Sequence, residues 1–249
     1  MSTCVVLLVT LFCQTQSSGH QVESAIITPG ERMSQKEIST VKRVVFFAEC
    51  DEDCQGGMIG DSDLEQLKGA PSVTSVVIGG KSTVTNGVFD ILKTVPKLRV
   101  LSIGECSITD DGLRTLATVS TLRRLEICDC AITDRGVARL ATLPRLAILK
   151  VEDCQIVGTC FRELSKMKCL RELSVQGTDV DDRVGKFFDG FGRLKRLGLR
   201  STHVTDDIFD YLGRLRSLKT VDVTGANISR ERIEKFRARY PDVTAHMIW

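Results

Sequence analysis

Six leucines, Leu98, Leu122, Leu146, Leu170, Leu194 and Leu218, stand 24 residues apart, and each opens the same phrase, L-x-x-L-x-I-x-x-C-x-I-T in its clearest copies. A fixed period in the twenties specifies stacked units that share one continuous core, and it constrains the chain more than any local propensity. In LRVLSIGECSIT, Leu101 and Ile103 alternate with Val100, Ser102 and Gly104, the period of two of a half-buried strand. Cys106, Cys130, Cys154, Thr178, Thr202 and Ala226 then form a column of small residues where the chain turns inward. Ile108, Ile132, Ile156, Val180, Val204 and Ile228 form the next apolar column.

A helix-start signal follows. Thr109, Thr133, Asp181, Thr205 and Ser229 can each accept a hydrogen bond from the free N–H groups of the next turn, and Val157 is the member of that column that cannot. Beyond the caps, Leu116, Leu140, Leu164, Phe188, Leu212 and Phe236 are preceded by Leu113, Val137, Phe161, Phe209 and Ile233 at helical spacing, which makes an inward face. Gly185 interrupts that second column and predicts a shorter or distorted helix in the unit from Leu170 to Arg193.

With these columns in place, CSITDDGL and CAITDRGV resemble the leucine-rich repeat family, in its cysteine-containing and bacterial TDxGL varieties. The resemblance covers six full units from Leu98 to Asp242. An earlier unit begins at Val73, with Val76, Ile78, Val84 and Thr85, but its step to Leu98 is 25 residues; a weaker one begins at Val41, with Val44 and Phe46 as strand positions. The resemblance implies an α/β fold, a leucine-rich repeat solenoid or horseshoe of seven or eight units with a concave parallel β-sheet and convex helices. Residues 1–19 then read as a signal peptide or N-terminal apolar segment and 20–72 as an N-terminal cap and degenerate repeat. Residues 73–249 read as the repeat domain, ending in a capping strand in which Val243, Met247, Ile248 and Trp249 cover the last unit.

Charge is balanced, 34 basic against 32 acidic residues, with no long block of one sign, so no nucleic-acid partner is expected. The apolar run from Cys4 to Cys13 is too short to span a bilayer, which takes about 20 apolar residues. It fits the core of a signal peptide, although no Lys or Arg precedes it, and equally a buried capping strand. An exported or periplasmic location and a cytoplasmic one both stay open. Cys106, Cys130 and Cys154 read as buried free thiols, whereas Cys50 and Cys54 could pair in an exported chain.

Three groups invite a metal or catalytic reading, and each has a plainer one. The segment DEDCQGGMIGDSD starts like a calcium loop with Asp51, Asp53 and Gly56, but Ser62 stands where a bidentate Glu should close it. Asp110, Asp111, Asp134, Asp182, Asp206 and Asp207 follow the caps, where acids favour the positive end of a helix dipole. His20, His203 and His246 fall in unrelated contexts. No catalytic residue, cofactor or metal is expected.

What remains is surface. The outward strand positions are Val100, Ser102 and Gly104, then Arg124, Glu126 and Cys128, then Ile148, Lys150 and Glu152. Later units add Glu172, Ser174 and Gln176, then Arg196, Gly198 and Arg200, then Thr220, Asp222 and Thr224. Arg124, Glu126, Lys150, Glu152, Glu172, Gln176, Arg196, Arg200 and Asp222 are the candidate contacts for a protein partner, a mosaic that can orient it. No aromatic residue falls on this face by the register, while Phe187 and Tyr211 are placed as exposed neighbours on the convex side, a second candidate patch. The expectation is a monomeric, non-catalytic protein-binding scaffold. The alternatives are an F-box-like substrate adaptor of a ubiquitin ligase, for which residues 20–72 hold no convincing F-box segment, and an exported surface-binding module.

Overall fold

The computed structural model describes residues 24–47, 57–80 and 82–247. The chain divides into two compact units, residues 1–130 and 131–249. The expectations for Cys4–Cys13, the Cys50 and Cys54 pair, Asp51, Asp53, Ile248 and Trp249 lie outside the described residues.

In the first unit, β1 (Ser24–Ile27), β2 (Arg43–Phe47), β3 (Ser75–Gly79), β4 (Val100–Gly104) and β5 (Arg124–Cys128) form a parallel sheet in chain order. In the second, β6 (Ile148–Glu152), β7 (Glu172–Ser174), β8 (Arg196–Gly198), β9 (Thr220–Asp222) and β10 (Thr244–His246) do the same. A helix follows every strand but the last among the described residues, so nine strand–helix repeats are present where the sequence suggested seven or eight. The extra repeat comes from β1. Its register to β2 joins Ser24 to Arg43, and that from β2 to β3 joins Arg43 to Ser75, offsets that depart from the period of 24 and hide β1 from it.

The register explains the core. Leu101 pairs with Leu125, Leu149 with Leu173, and Leu173 with Leu197, so one leucine per strand stacks on the next and all are shut from solvent. Val44 and Phe46 are likewise fully buried, as their strand positions require. Helical Leu113, Val137, Phe161, Phe188, Phe209 and Phe236 close the opposite side of the core.

Each strand from β4 to β9 is followed by a residue in the left-handed backbone region: Glu105, Asp129, Asp153, Gly177, Ser201 and Gly225. The chain turns out of the sheet at this column, and Gly or a short polar side chain tolerates the conformation best. The unit around Gly185 is distorted, as its glycine predicted, and not shortened: Asp182–Gly190 is nine residues of 3-10 helix. A Cβ on Gly185 would lie 2.3 Å from Cγ of Tyr211, so the glycine is the seat of that ring.

The column of small residues donates hydrogen bonds. The Cys106 and Cys130 thiols donate to the Gly104 and Cys128 carbonyls, and the Thr178 and Thr202 hydroxyls to those of Val175 and Leu199. Sulfhydryl and hydroxyl alternate here because each supplies one donor at the bend. No disulfide joins Cys106, Cys128, Cys130, Cys154, Cys160 or Cys169. Burial pushes the Cys106 thiol up to about 12 and that of Cys130 to about 11. Both should resist iodoacetamide at pH 8 in the native protein, while half-buried Cys169 reacts, as mass spectrometry of alkylated peptides would report. Because the folded values lie above that of a free thiol, near 9, the associated stability is complete below about pH 9 and fades as pH climbs toward 11–12. Labelling of Cys106 as fast as Cys169 would contradict this burial.

Candidate functional site

The outward strand positions form the open face of each sheet, opposite the helices. In the first unit, Arg124 donates through Nε (3.0 Å) and Nη2 (2.7 Å) to Oε1 of Glu126. The register sets Arg43 in the same row as Ser75, Val100 and Arg124. Burial, and secondarily the Arg124 guanidinium, holds the Arg43 pKa below its ordinary value. Ser102, Glu126 and Cys128 are buried although they face outward, as are Val45 and Val77, against which Phe47 packs. Phe47 corrects one expectation: this face does carry an aromatic side chain. With Val44 and Phe46 inward, alternation places Phe47 outward, on a strand that precedes the regular repeats from Leu98.

In the second unit the mosaic is knitted together. Glu172 accepts from Nε of Arg196 at 2.6 Å and from Nη2 at 2.5 Å, and lies 3.9 Å from Nζ of Lys150. The Ser174 hydroxyl donates to Glu152 at 2.6 Å, and Asp222 accepts from the Thr224 amide at 2.9 Å. Gln176 and exposed Arg200 have no side-chain hydrogen-bond or ion-pair partner among the described residues. Arg200 borders an open groove of about 700 Å³ lined also by Asp222, Arg237, Val243, His246 and Met247. The terminal strand exists as β10, with Ala245 buried and Val243 and Met247 half-buried.

On the helical side, Phe187 and Tyr211 are half-buried instead of exposed. Tyr211 lies on Gly185 with the Arg214 guanidinium 5.0 Å from its ring centre, and Lys186 lies 5.0 Å from that of Phe187.

The acids after the caps do more than favour a helix end, and here the structure departs from the sequence reading. Asp61 accepts from the amide and hydroxyl of Thr85, Asp182 from those of Thr205, and Asp206 from those of Ser229. Each carboxylate thus holds the first turn of the repeat that follows it. Asn86 makes the same link to Thr109 with its amide, accepting from the Thr109 N–H and donating to its hydroxyl. Asp134 meets Val157, whose side chain has no donor, and accepts instead from the amides of Val157, Gly158 and Cys160 at 2.8, 3.1 and 2.7 Å. Gly158, at φ +97, replaces the acid in the next repeat, and the residue that would have faced it is Asp181. Asp181 caps its own helix and pairs with Arg183, whose side chain holds its carboxyl below the usual range. Donor and acceptor therefore match at Thr85, Thr205 and Ser229, which follow an Asp, at Thr109, which follows an Asn, and at Asp181, which follows a glycine, while Val157 is the exception. Asp111 and Asp207 take no part and are exposed.

Among the described residues, no group of three or more His, Cys, Asp and Glu is arranged to hold a metal ion. No helix among them is long and apolar enough to cross a membrane.

A sequence model described as "Leucine Rich repeat" matches residues 96–117 and 120–141. No curated protein matches the chain. Among solved structures, an internalin C2 of Listeria monocytogenes is 18% identical at TM-score 0.63, covering 87% of this chain and 84% of that one. An internalin, inlF, of the same species is 16% identical at TM-score 0.61 over 87% of this chain; the chain spans only 57% of its length. A Bacteroides fragilis protein is 15% identical at TM-score 0.59, with 86% of this chain and 66% of that one covered. At such identities the likeness is one of fold. The parallel strand register and these structures show an α/β solenoid of the leucine-rich repeat fold, and two of its repeats match the sequence model of that repeat.

Proposed function

We propose that the protein is a non-catalytic scaffold that binds a protein partner through the open face of its sheet. The observation that carries this reading is the clamp on Glu172 by Arg196 and Lys150, beside Gln176 and Arg200, which have no partner of their own. Side chains already held in place lose little freedom when a partner arrives, and unpaired neighbours supply the new contacts. Glu152, Asp222 and, in the first unit, Arg124 and Glu126 extend the same surface, and interleaved signs fix a partner's orientation.

The double variant Arg196→Glu, Arg200→Glu is expected to weaken capture of the partner at least about tenfold while thermal unfolding shifts little, since exposed ion pairs contribute only ~0–1 kcal/mol. Capture followed by mass spectrometry, with charge reversal at exposed Arg162 on the helical side as control, makes the comparison. Unchanged capture by the double variant would remove the open face from the interface.

A further inference from the structure

Of the five connections that lead from helix to strand in the second unit, residues 143–147, 165–171, 191–195 and 213–219 contain no Asp or Glu and are rich in Arg and Lys, and the fifth, 240–243, carries one acid, Asp242. Because the strands are parallel, all four lie at the same edge of the sheet. The register aligns them further. The amide of Arg171 donates to the Ala147 carbonyl, that of Lys195 to Arg171, and that of Lys219 to Lys195, each at 2.8 Å. Three cations thus stand on successive rungs about 4.8 Å apart. Arg145, Arg193 and Arg216 flank them, and all six side chains are exposed without an ion-pair partner among the described residues. The strand-to-helix connections at the opposite edge carry Asp153, Asp179 and Asp181 against a single Arg or Lys, Arg200. A balanced total charge therefore conceals two edges of opposite sign.

We propose that this basic edge binds an acidic segment of a protein partner, an extended run rich in Asp and Glu. Like charges so closely set repel one another, and an anionic chain laid along the rungs relieves that repulsion. Lys and Arg reach out on flexible stems and do not demand one geometry of it. Two other polyanions fit less well. Single-stranded nucleic acid is bound by basic surfaces that also offer aromatic rings for stacking; here Phe191 is buried, half-buried Tyr211 is covered by Arg214, and half-buried Tyr240 is engaged by Phe236 and Arg239. A membrane surface would gain from inserted apolar side chains, and the large hydrophobic residues most exposed among the described ones, Ile26, Met58 and Val157, lie outside these connections. The proposal does not depend on the open face, which different residues form.

The test uses the full chain and a fluorescent peptide of about twelve glutamates, read by anisotropy at low salt. Binding is expected, with the steep loss on adding salt that screening over about 8 Å at 0.15 M dictates. The triple variant Arg171→Glu, Lys195→Glu, Lys219→Glu should weaken it at least about tenfold with an unchanged thermal midpoint, and Arg145→Glu, Arg193→Glu, Arg216→Glu should do the same. The variant Arg196→Glu, Arg200→Glu should weaken it clearly less than either triple variant, which separates this edge from the open face, and an equal loss overturns the assignment to this edge. No binding by the wild type, or binding that survives both triple variants, overturns the proposal. Tighter binding, through the same residues, of a single-stranded oligonucleotide or of vesicles containing phosphatidylserine overturns it in favour of that polyanion.

Discussion

Replacing Asp134 with Ala should cost roughly 2–6 kcal/mol of unfolding free energy, at ~1–3 kcal/mol for each of the two buried amides, Gly158 and Cys160, left without an acceptor. The carboxylate is almost fully buried, and Val157 beside it offers no hydroxyl to share the load. Asn at the same position should cost less. Its Oδ1 can still serve Gly158 and Cys160, but its NH2 group would then face the Val157 N–H. Urea denaturation of the two variants, alongside Asp111→Ala, decides the matter. Asp111 is exposed and touches only Arg114, so its loss should stay within about 0.5 kcal/mol. If Asp134→Ala behaves like Asp111→Ala, the carboxylate does not hold the following repeat.

A loss of ~2–5 kcal/mol is also expected for Leu149→Ala and for Leu173→Ala, because each removes a fully buried side chain stacked between neighbours that cannot close the gap. Ile148, one residue earlier, points to the open face and is half-buried. Its replacement by Ala should cost less than half as much as that of Leu149. Equal losses at Leu149 and Ile148 would mean that the strand is turned over, since a slip of one residue exchanges the two faces. Measured with the same denaturant, the three variants test the register without reference to any partner.

Much of this architecture is legible in the sequence because a repeat reports each position several times. Leu149 and Leu173 are recognisable as core not from their own neighbourhood but from Leu101, Leu125 and Leu197 in the same column. The same redundancy exposes Gly185 as an exception, though not what it accommodates: Tyr211 lies 26 residues further on, and only packing brings the ring to the glycine. Where the period lapses, the reading lapsed too. The period reveals neither β1 nor the outward place of Phe47, because the first strands are offset by irregular connections.

The candidate site was legible as a list of outward positions. Its pairing was not. Alternation along a strand says that Glu172 and Arg196 face outward, whereas their contact depends on which residues the register sets side by side. The acids after the caps show the same limit. A first-turn Asp is locally explained by the helix dipole, so nothing in the sequence calls for another role, yet Asp61, Asp134, Asp182 and Asp206 reach the repeat that follows.

By itself, then, the sequence determined the period, the alternation within each strand and the columns that face the core, because burial imposes a residue type at a fixed spacing. Tertiary structure alone decided what meets across repeats: Asp with the next cap, Glu172 between its two cations, and scattered Arg and Lys on one edge. Those contacts join residues more than twenty positions apart, and their partners are chosen by strand register and distance, quantities that composition and period do not contain.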